Sequence, residues 1–104
     1  MMETDRILAI LRDINETLAN EGIKLEGVFG SYARGEAEDF SDIDILYSTD
    51  PVRFFPYDGF AKAIYLQNLK KRLEGIFRRP VDLIPKKQEQ SAFYANIRRE
   101  FRSV

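Results

Sequence analysis

Residues 30–45 read GSYARGEAEDFSDIDI, and the interpretation of the whole chain starts from this stretch. Gly30 and Ser31 follow the apolar run from Leu25 to Phe29, which predicts a short strand that ends in a turn or a short helix. Backbone N–H groups at such a turn point outward and can bind phosphate, and glycine lets a ligand approach the main chain. The Ser31 hydroxyl can add a hydrogen bond.

The second half of the stretch predicts another strand, Asp42 to Tyr47, that begins with two aspartates. Because side chains alternate along a strand, Asp42 and Asp44 share one face and Ile43 and Ile45 lie on the other. Two carboxylates about 6–7 Å apart can hold one or two hard divalent cations such as Mg²⁺. Taken singly, however, a Gly-Ser sequence is usually an ordinary turn and an Asp-x-Asp is usually a solvent-facing pair.

A third aspartate, Asp82, is the only charge in the apolar segment from Val81 to Ile84. This segment predicts a third strand, which ends at Pro85. A lone charge in such a strand either lies at an exposed edge or points into a site. If this strand pairs beside the Asp42 strand, Asp82 can join the same acidic cluster.

In the segments around these strands, apolar residues recur at helical spacing, which predicts helices. Thr4 or Asp5 is expected to cap the first helix, and Gly22 is expected to end it. The loop from Ser48 to Asp58 carries one possible helical turn. Helices are predicted over residues 4–20, 58–77 and 88–101. The buried stripe of the second long helix is predicted to be Tyr65, Leu69, Leu73 and Ile76.

The composition describes one small domain, residues 1–104, of the α/β (α+β) class, with a three- to four-stranded mixed sheet and helices packed on one side. Hydrophobic residues make up 44% of the chain, and it contains no cysteine and no histidine. Disulfides, structural zinc sites, cysteine nucleophiles and Ser-His-Asp triads are therefore excluded. An enzyme of this composition needs a carboxylate, lysine, tyrosine or bound metal for its acid–base chemistry.

Charge is distributed unevenly along the chain. Residues 1–69 carry 6 basic and 13 acidic side chains, and residues 70–104 carry 10 basic and 4 acidic ones. The basic half either contacts an anionic ligand or an acidic partner, or is a solvated helix face. We expect no direct binding of nucleic acid. Without a membrane-spanning run or a signal-peptide pattern, the sequence predicts a cytoplasmic protein that does not bind a membrane.

The chain carries three motifs in this order: Gly30 to Gly35, Ser41 to Asp44, and Val81 to Leu83. Together they closely resemble the motifs of the minimal nucleotidyltransferases of the polymerase-beta-like superfamily. The similarity covers nearly the whole chain, and a chance match at this spacing is improbable. Tyr32 stands where the family often has phenylalanine, which is a mild change.

The resemblance implies the fold described above and roles for six residues. It assigns Gly30, Ser31 and Arg34 to binding of the ATP phosphates, and Asp42, Asp44 and Asp82 to catalysis and to two Mg²⁺ ions. Asp82 would also help to deprotonate the acceptor hydroxyl. For Arg34 two interpretations remain open, since it either contacts phosphate or anchors the turn by pairing with a carboxylate such as Glu36 or Asp39.

A chain this short has little surface for an acceptor, so we expect a partner chain to complete the acceptor site. Short family members are often antitoxins beside a helical HEPN-domain ribonuclease toxin. The resemblance thus implies transfer of AMP to a hydroxyl, a tyrosine, of such a toxin within a hetero-oligomer. The alternatives are an antitoxin that acts by binding alone and a small-molecule transferase of the aminoglycoside type. Phe54, Phe55 and Tyr57 either stack on the nucleotide base or pack in the core or a lid.

Overall fold

The computed structural model describes residues 3–38, 41–55, 58–86 and 100–104. Its elements in chain order are α1 (Thr4–Leu18), a 3₁₀ turn (Ala19–Glu21), β1 (Ile23–Phe29), α2 (Ser31–Arg34), β2 (Ile43–Thr49), α3 (Gly59–Phe77), β3 (Val81–Pro85) and β4 (Arg102–Ser103). The described strands form one mixed sheet in the order β3-β2-β1-β4. This confirms the predicted α/β (α+β) class. The helix predicted over residues 88–101 lies almost wholly outside the described residues.

The main core lies between α1, α3 and one face of the sheet. Ile43, Ile45 and Tyr47 all point into it, as the alternation along β2 predicts. From the helices, Leu11 and Leu73 are completely buried against them. Burial of this continuous apolar surface, at about 25 cal/mol per Å², is what holds the two long helices on the sheet.

A smaller apolar cluster lies on the opposite face of the sheet. It consists of Phe29 and Leu46, with Ile84 and Phe101 packed against them. Phe101 of this cluster directly precedes β4, and β4 pairs antiparallel with β1 at Gly27 and Val28. The sequence interpretation missed β4. A two-residue strand is too short to show an alternating pattern.

The helix ends agree with prediction in part. Asp58 caps α3 by accepting the Ala61 N–H at 2.9 Å, and Gly22, with φ of 82°, follows the 3₁₀ turn after α1. The predicted cap at Thr4 or Asp5 is wrong, because Glu3 occupies the N-cap position. Thr4 instead donates its hydroxyl to the carbonyl of Tyr32 at 2.6 Å, which ties α1 to α2.

Leu69 and Leu73 of the predicted α3 stripe are buried, and Tyr65 is partly buried against the core. Ile76 is 41% exposed, and Phe77 is the residue buried at this end of the helix. Phe54 is buried and packs edge-on against Tyr65, so it serves the core. Within the described ranges, no helix has the length and apolar character needed to cross a membrane.

Candidate active site

Pairing between β2 and β3 brings two of the predicted site residues side by side. The strands run parallel with Asp44 opposite Asp82, so their side chains lie on the same face. They start at the same end of the sheet, where the Ile43 N–H donates to the carbonyl of Pro80 at 2.9 Å. Asp42, just before β2, is exposed at that end. The placement of Asp82 beside the Asp-x-Asp strand is thereby confirmed.

The carboxyl group of Asp44 is the most perturbed acid at this end of the sheet. Partial burial, followed by the charges of Asp82 and Asp42 and a hydrogen bond with Asp82, raises the pKa of Asp44 to about 6. Arg34 acts weakly in the opposite direction. Two carboxylates held this close disfavour their joint ionisation, and a bound cation would relieve the repulsion.

Gly30 lies directly against Asp44. Phe29 pairs with Asp44 across β1 and β2, and the chain then turns at Gly30 with φ of 75°. A Cβ atom at Gly30 would lie 2.4 Å from Oδ2 of Asp44. Glycine is therefore required twice, for the left-handed backbone and for the space that the carboxylate fills.

Ser31 opens α2 next to this glycine, as predicted. Its carbonyl accepts the Glu36 N–H at 2.9 Å, which closes the short helix. The first N–H groups of a helix have no acceptor within it, so they are available to a ligand. The turn therefore presents donors beside the acidic pair, although its role in phosphate binding stays a prediction.

Arg34 points toward carboxylates. Its Nε lies 3.0 Å from Glu36 and its Nη1 lies 2.9 Å from Glu100. The pairing with Glu36 is one of the two interpretations that the sequence left open, and the phosphate contact stays a prediction. Glu100 was missed because nothing in the sequence links two residues 66 positions apart.

The acidic residues present fit magnesium. Among the described residues, no three acidic side chains form a complete metal cage. Magnesium does not require one, since it commonly binds one or two carboxylates and completes its shell with water and substrate phosphates. Asp44 and Asp82 lie opposite each other on paired strands, and Asp42 is close enough to raise the pKa of Asp44. These carboxylates supply hard oxygen ligands that such an ion would neutralise.

A mixed sheet that holds a Gly-Ser turn against paired aspartates is the arrangement that the sequence motifs predict for a nucleotidyltransferase. The profile of the family described as "Nucleotidyltransferase domain" matches residues 7–104. The chain belongs to this family of enzymes. The family match includes every residue that the sequence proposed for the site.

Curated relatives match over most of their length. The protein adenylyltransferase MntA of Thermococcus cleftensis is 35% identical over 96% of this chain and 94% of its own. A Methanocaldococcus jannaschii protein, also described as a protein adenylyltransferase, is 38% identical over 83% of this chain and 92% of its own.

Solved structures show the same fold. A structure described as a minimal nucleotidyltransferase superposes with a TM-score of 0.71 at 26% identity, and covers 99% of this chain and 97% of its own. A chain of a toxin–antitoxin structure with AMP-PNP superposes with a TM-score of 0.63 at 22% identity, over 98% of this chain and 72% of its own. At that identity the second likeness concerns the fold alone.

Proposed function

We propose that this protein transfers AMP from Mg²⁺-ATP to a hydroxyl group of another protein. The observation that carries the proposal is the pairing of β2 with β3, which places Asp44 opposite Asp82, with Gly30 packed against Asp44. This arrangement joins donors for phosphate to acids for metal binding. It needs neither cysteine nor histidine, and the chain has neither.

Each site residue has a distinct task in this proposal. Gly30 and Ser31 orient the triphosphate through the N–H groups at the start of α2, and Asp42 and Asp44 would hold two magnesium ions. When bound, magnesium neutralises phosphate charge and lowers the pKa of a coordinated hydroxyl. Asp82 joins these ligands and accepts the hydroxyl proton. The acceptor oxygen bonds to the α-phosphorus, the bond to the bridging oxygen breaks, and pyrophosphate leaves.

The protein acceptor is supported by the relatives described as protein adenylyltransferases, which match 96% and 83% of this chain. We further propose that the acceptor is a tyrosine of a HEPN-domain toxin bound in a hetero-oligomer, and that its modification neutralises the toxin. That identity rests on the family resemblance of the three motifs. The cytoplasm, where ATP and magnesium are abundant, is the proposed location.

The test is transfer of label from α-³²P-ATP to a co-purified partner in the presence of Mg²⁺. We expect label on the partner with wild-type protein and none with Asp42→Asn or Asp44→Asn. Asp13→Asn is the matched control, since Asp13 is exposed on α1 and remote in sequence from the motifs. Tight binding of the partner without any labelling by the wild type would replace the enzymatic proposal with neutralisation by binding alone.

A further inference from the structure

The outer edge of β3 has peptide groups that face away from the sheet. β3 is the last described strand on its side, and it pairs only with β2 among the described residues. Pro80 accepts from Ile43 and Lys86 donates to Tyr47, so the even-numbered residues between them bond to β2. In a parallel pair the backbone N–H and C=O groups of the alternate residues, Val81 and Leu83, then face away from the sheet.

This edge is closed at both ends and open in the middle. The Val81 N–H already donates to the carboxylate of Glu74 at 3.0 Å. Pro85 has no N–H to offer. The open part is therefore the Val81 carbonyl and the N–H and carbonyl of Leu83, for which no described residue provides a partner. Blocked ends prevent indiscriminate edge-to-edge pairing, and the gap between them has the length of a short peptide.

A groove of about 230 Å³ runs beside this open edge. One wall is β3, with Asp82 and Leu83, and the other is α3, with Ala63 and Leu66 as apolar groups. Lys70 adds a positive charge to the wall of α3. The groove thus combines backbone hydrogen-bonding groups, a small apolar surface, Lys70 on the wall of α3 and Asp82 on the wall of β3. An extended peptide with an acidic residue facing Lys70 suits this arrangement of charges.

We propose that the acceptor protein binds here by adding a strand to β3, with its hydroxyl-bearing residue opposite Asp82. This inference rests on the proposed function. Paired strands lie about 4.8 Å apart, and directly opposite residues share a face. The residue opposite Asp82 therefore projects its side chain beside Asp82, on the sheet face that also carries Asp44 one strand further on, while the residues on either side of it face the groove.

The same geometry defines the kind of sequence that fits. A tyrosine or serine takes the position opposite Asp82, and small or β-branched residues flank it, since they contact Ala63 and Leu66. An acidic residue three positions away faces the side of the groove that carries Lys70. A suitable probe is the synthetic peptide Ac-Glu-Thr-Val-Tyr-Val-Thr-Glu-NH₂.

Amide hydrogen exchange at Leu83 tests this placement without relying on activity. With Asp44→Asn protein, which is expected not to transfer AMP, we expect the probe peptide to slow exchange at Leu83 at least about tenfold, as for an amide that gains a hydrogen bond. The Val81 amide, already bonded to Glu74, should change little. Exchange at Leu83 that is unaffected by saturating peptide, or no detectable peptide binding, would overturn the inference.

Two variants at the edge and one control complete the experiment. Leu83→Pro removes the outward N–H, and Lys70→Glu opposes the acidic ends of the peptide. We expect each to weaken peptide binding by about three- to tenfold or more. Lys71→Glu makes the same charge change on an exposed residue outside the groove and should alter binding by less than about twofold. Lys70→Glu keeps the test valid if Leu83→Pro does not fold.

The two proposals fail in different ways. Protection of Leu83 without labelling of any hydroxyl would retain this inference and refute the proposed transfer of AMP. Labelling of the peptide tyrosine without protection of Leu83 would retain the proposed function and refute addition to β3. Equal labelling by wild type, Lys70→Glu and Leu83→Pro would refute it as well.

Discussion

Asp44 carries a conflict between stability and function. In the folded chain its pKa is about 6, and its ordinary value is 3.8. Between these values the folded state binds more protons than the unfolded state, so the contribution of Asp44 to stability falls as pH rises from about 4 to above 6. The carboxylate that we propose as a metal ligand is thus destabilising when no metal is bound.

We predict that Asp44→Asn stabilises the metal-free protein at about pH 7.5 and has little effect at about pH 4, where the wild-type carboxyl is already protonated. The gain should be a few degrees in the unfolding temperature, since about 1 kcal/mol corresponds to about 4–8 °C in a domain of this size. Thermal unfolding in the presence of a chelator measures it. An equal gain at both pH values would contradict the electrostatic explanation.

Gly30 offers a second prediction at this scale, because the three atoms nearest to a Cβ there all belong to Asp44. We expect Gly30→Ala to cost about 1–3 kcal/mol or more, because its φ of 75° and ψ of −148° define a conformation that essentially only glycine adopts. We also expect it to reduce AMP transfer more than about tenfold by displacing the carboxylate. Gly35→Ala is the matched control, with φ of 73° and open space around its Cβ. Its ψ of 20° places it in the left-handed helical region, so it should lose only about 1–2 kcal/mol of stability and keep near wild-type transfer. Equal transfer rates in the two variants would refute the steric argument.

The residue scale also shows which site features a sequence can reveal. Asp42 and Asp44 were found together because two positions along one strand always share a face. Asp82 required the additional assumption that β3 pairs with β2, which the structure confirms. Glu100 lies beside Arg34 only through tertiary structure, and no local pattern could have indicated it.

At the scale of elements, the pairing of β4 with β1 depends on Gly27 in the interior of β1. A Cβ at this position would lie 2.2 Å from the carbonyl oxygen of Arg102 in β4 and 2.7 Å from the ring of Phe101. The first of these is a backbone atom, so it cannot move aside as a side chain does. A glycine within a strand is a known sign of such close approach, and it was the one local signal for β4.

We predict that Gly27→Ala detaches β4 and lowers the free energy of unfolding by about 1–3 kcal/mol, the usual cost of overpacking. Urea unfolding measures the loss. Amide exchange identifies its origin, since the Val104 N–H donates to the Glu26 carbonyl at 2.9 Å and should lose protection. Gly75→Ala is the control, because its Cβ meets nothing on α3, and it should raise stability by about 0.5–1 kcal/mol. Retained protection at Val104 would show that β4 tolerates the methyl group.

The longer elements were predictable because each had both a periodic pattern and an end signal. α3 begins after Asp58 and ends at Phe77, as its cap and periodicity indicate. Its buried stripe was wrong at one point, where Ile76 is exposed and Phe77 is buried. Adjacent apolar residues at a helix end differ by about 100° in direction, and only the packing of the neighbouring strand decides which is buried.

At the scale of the molecule, the site joins three elements that are distant in sequence. Gly30 directly follows β1, Asp44 lies on β2, and Asp82 lies on β3. A ligand that contacts all three binds the folded chain and not the unfolded one. Ligand binding should therefore raise the stability of the whole domain through linkage, and the size of the effect reports how completely the site is assembled.

We predict that Mg²⁺ and a non-hydrolysable ATP analogue together raise the unfolding temperature, whereas either alone has a much smaller effect, because the phosphates complete the metal shell and the metal offsets the phosphate charge. At about one hundred times the dissociation constant the gain is about 2.7 kcal/mol, or roughly 10 °C or more. Asp42→Asn and Asp82→Asn should abolish most of it, and Asp13→Asn should preserve it. A full shift from the analogue without Mg²⁺, or an undiminished shift in Asp82→Asn, would refute the placement of these aspartates around a metal–nucleotide complex.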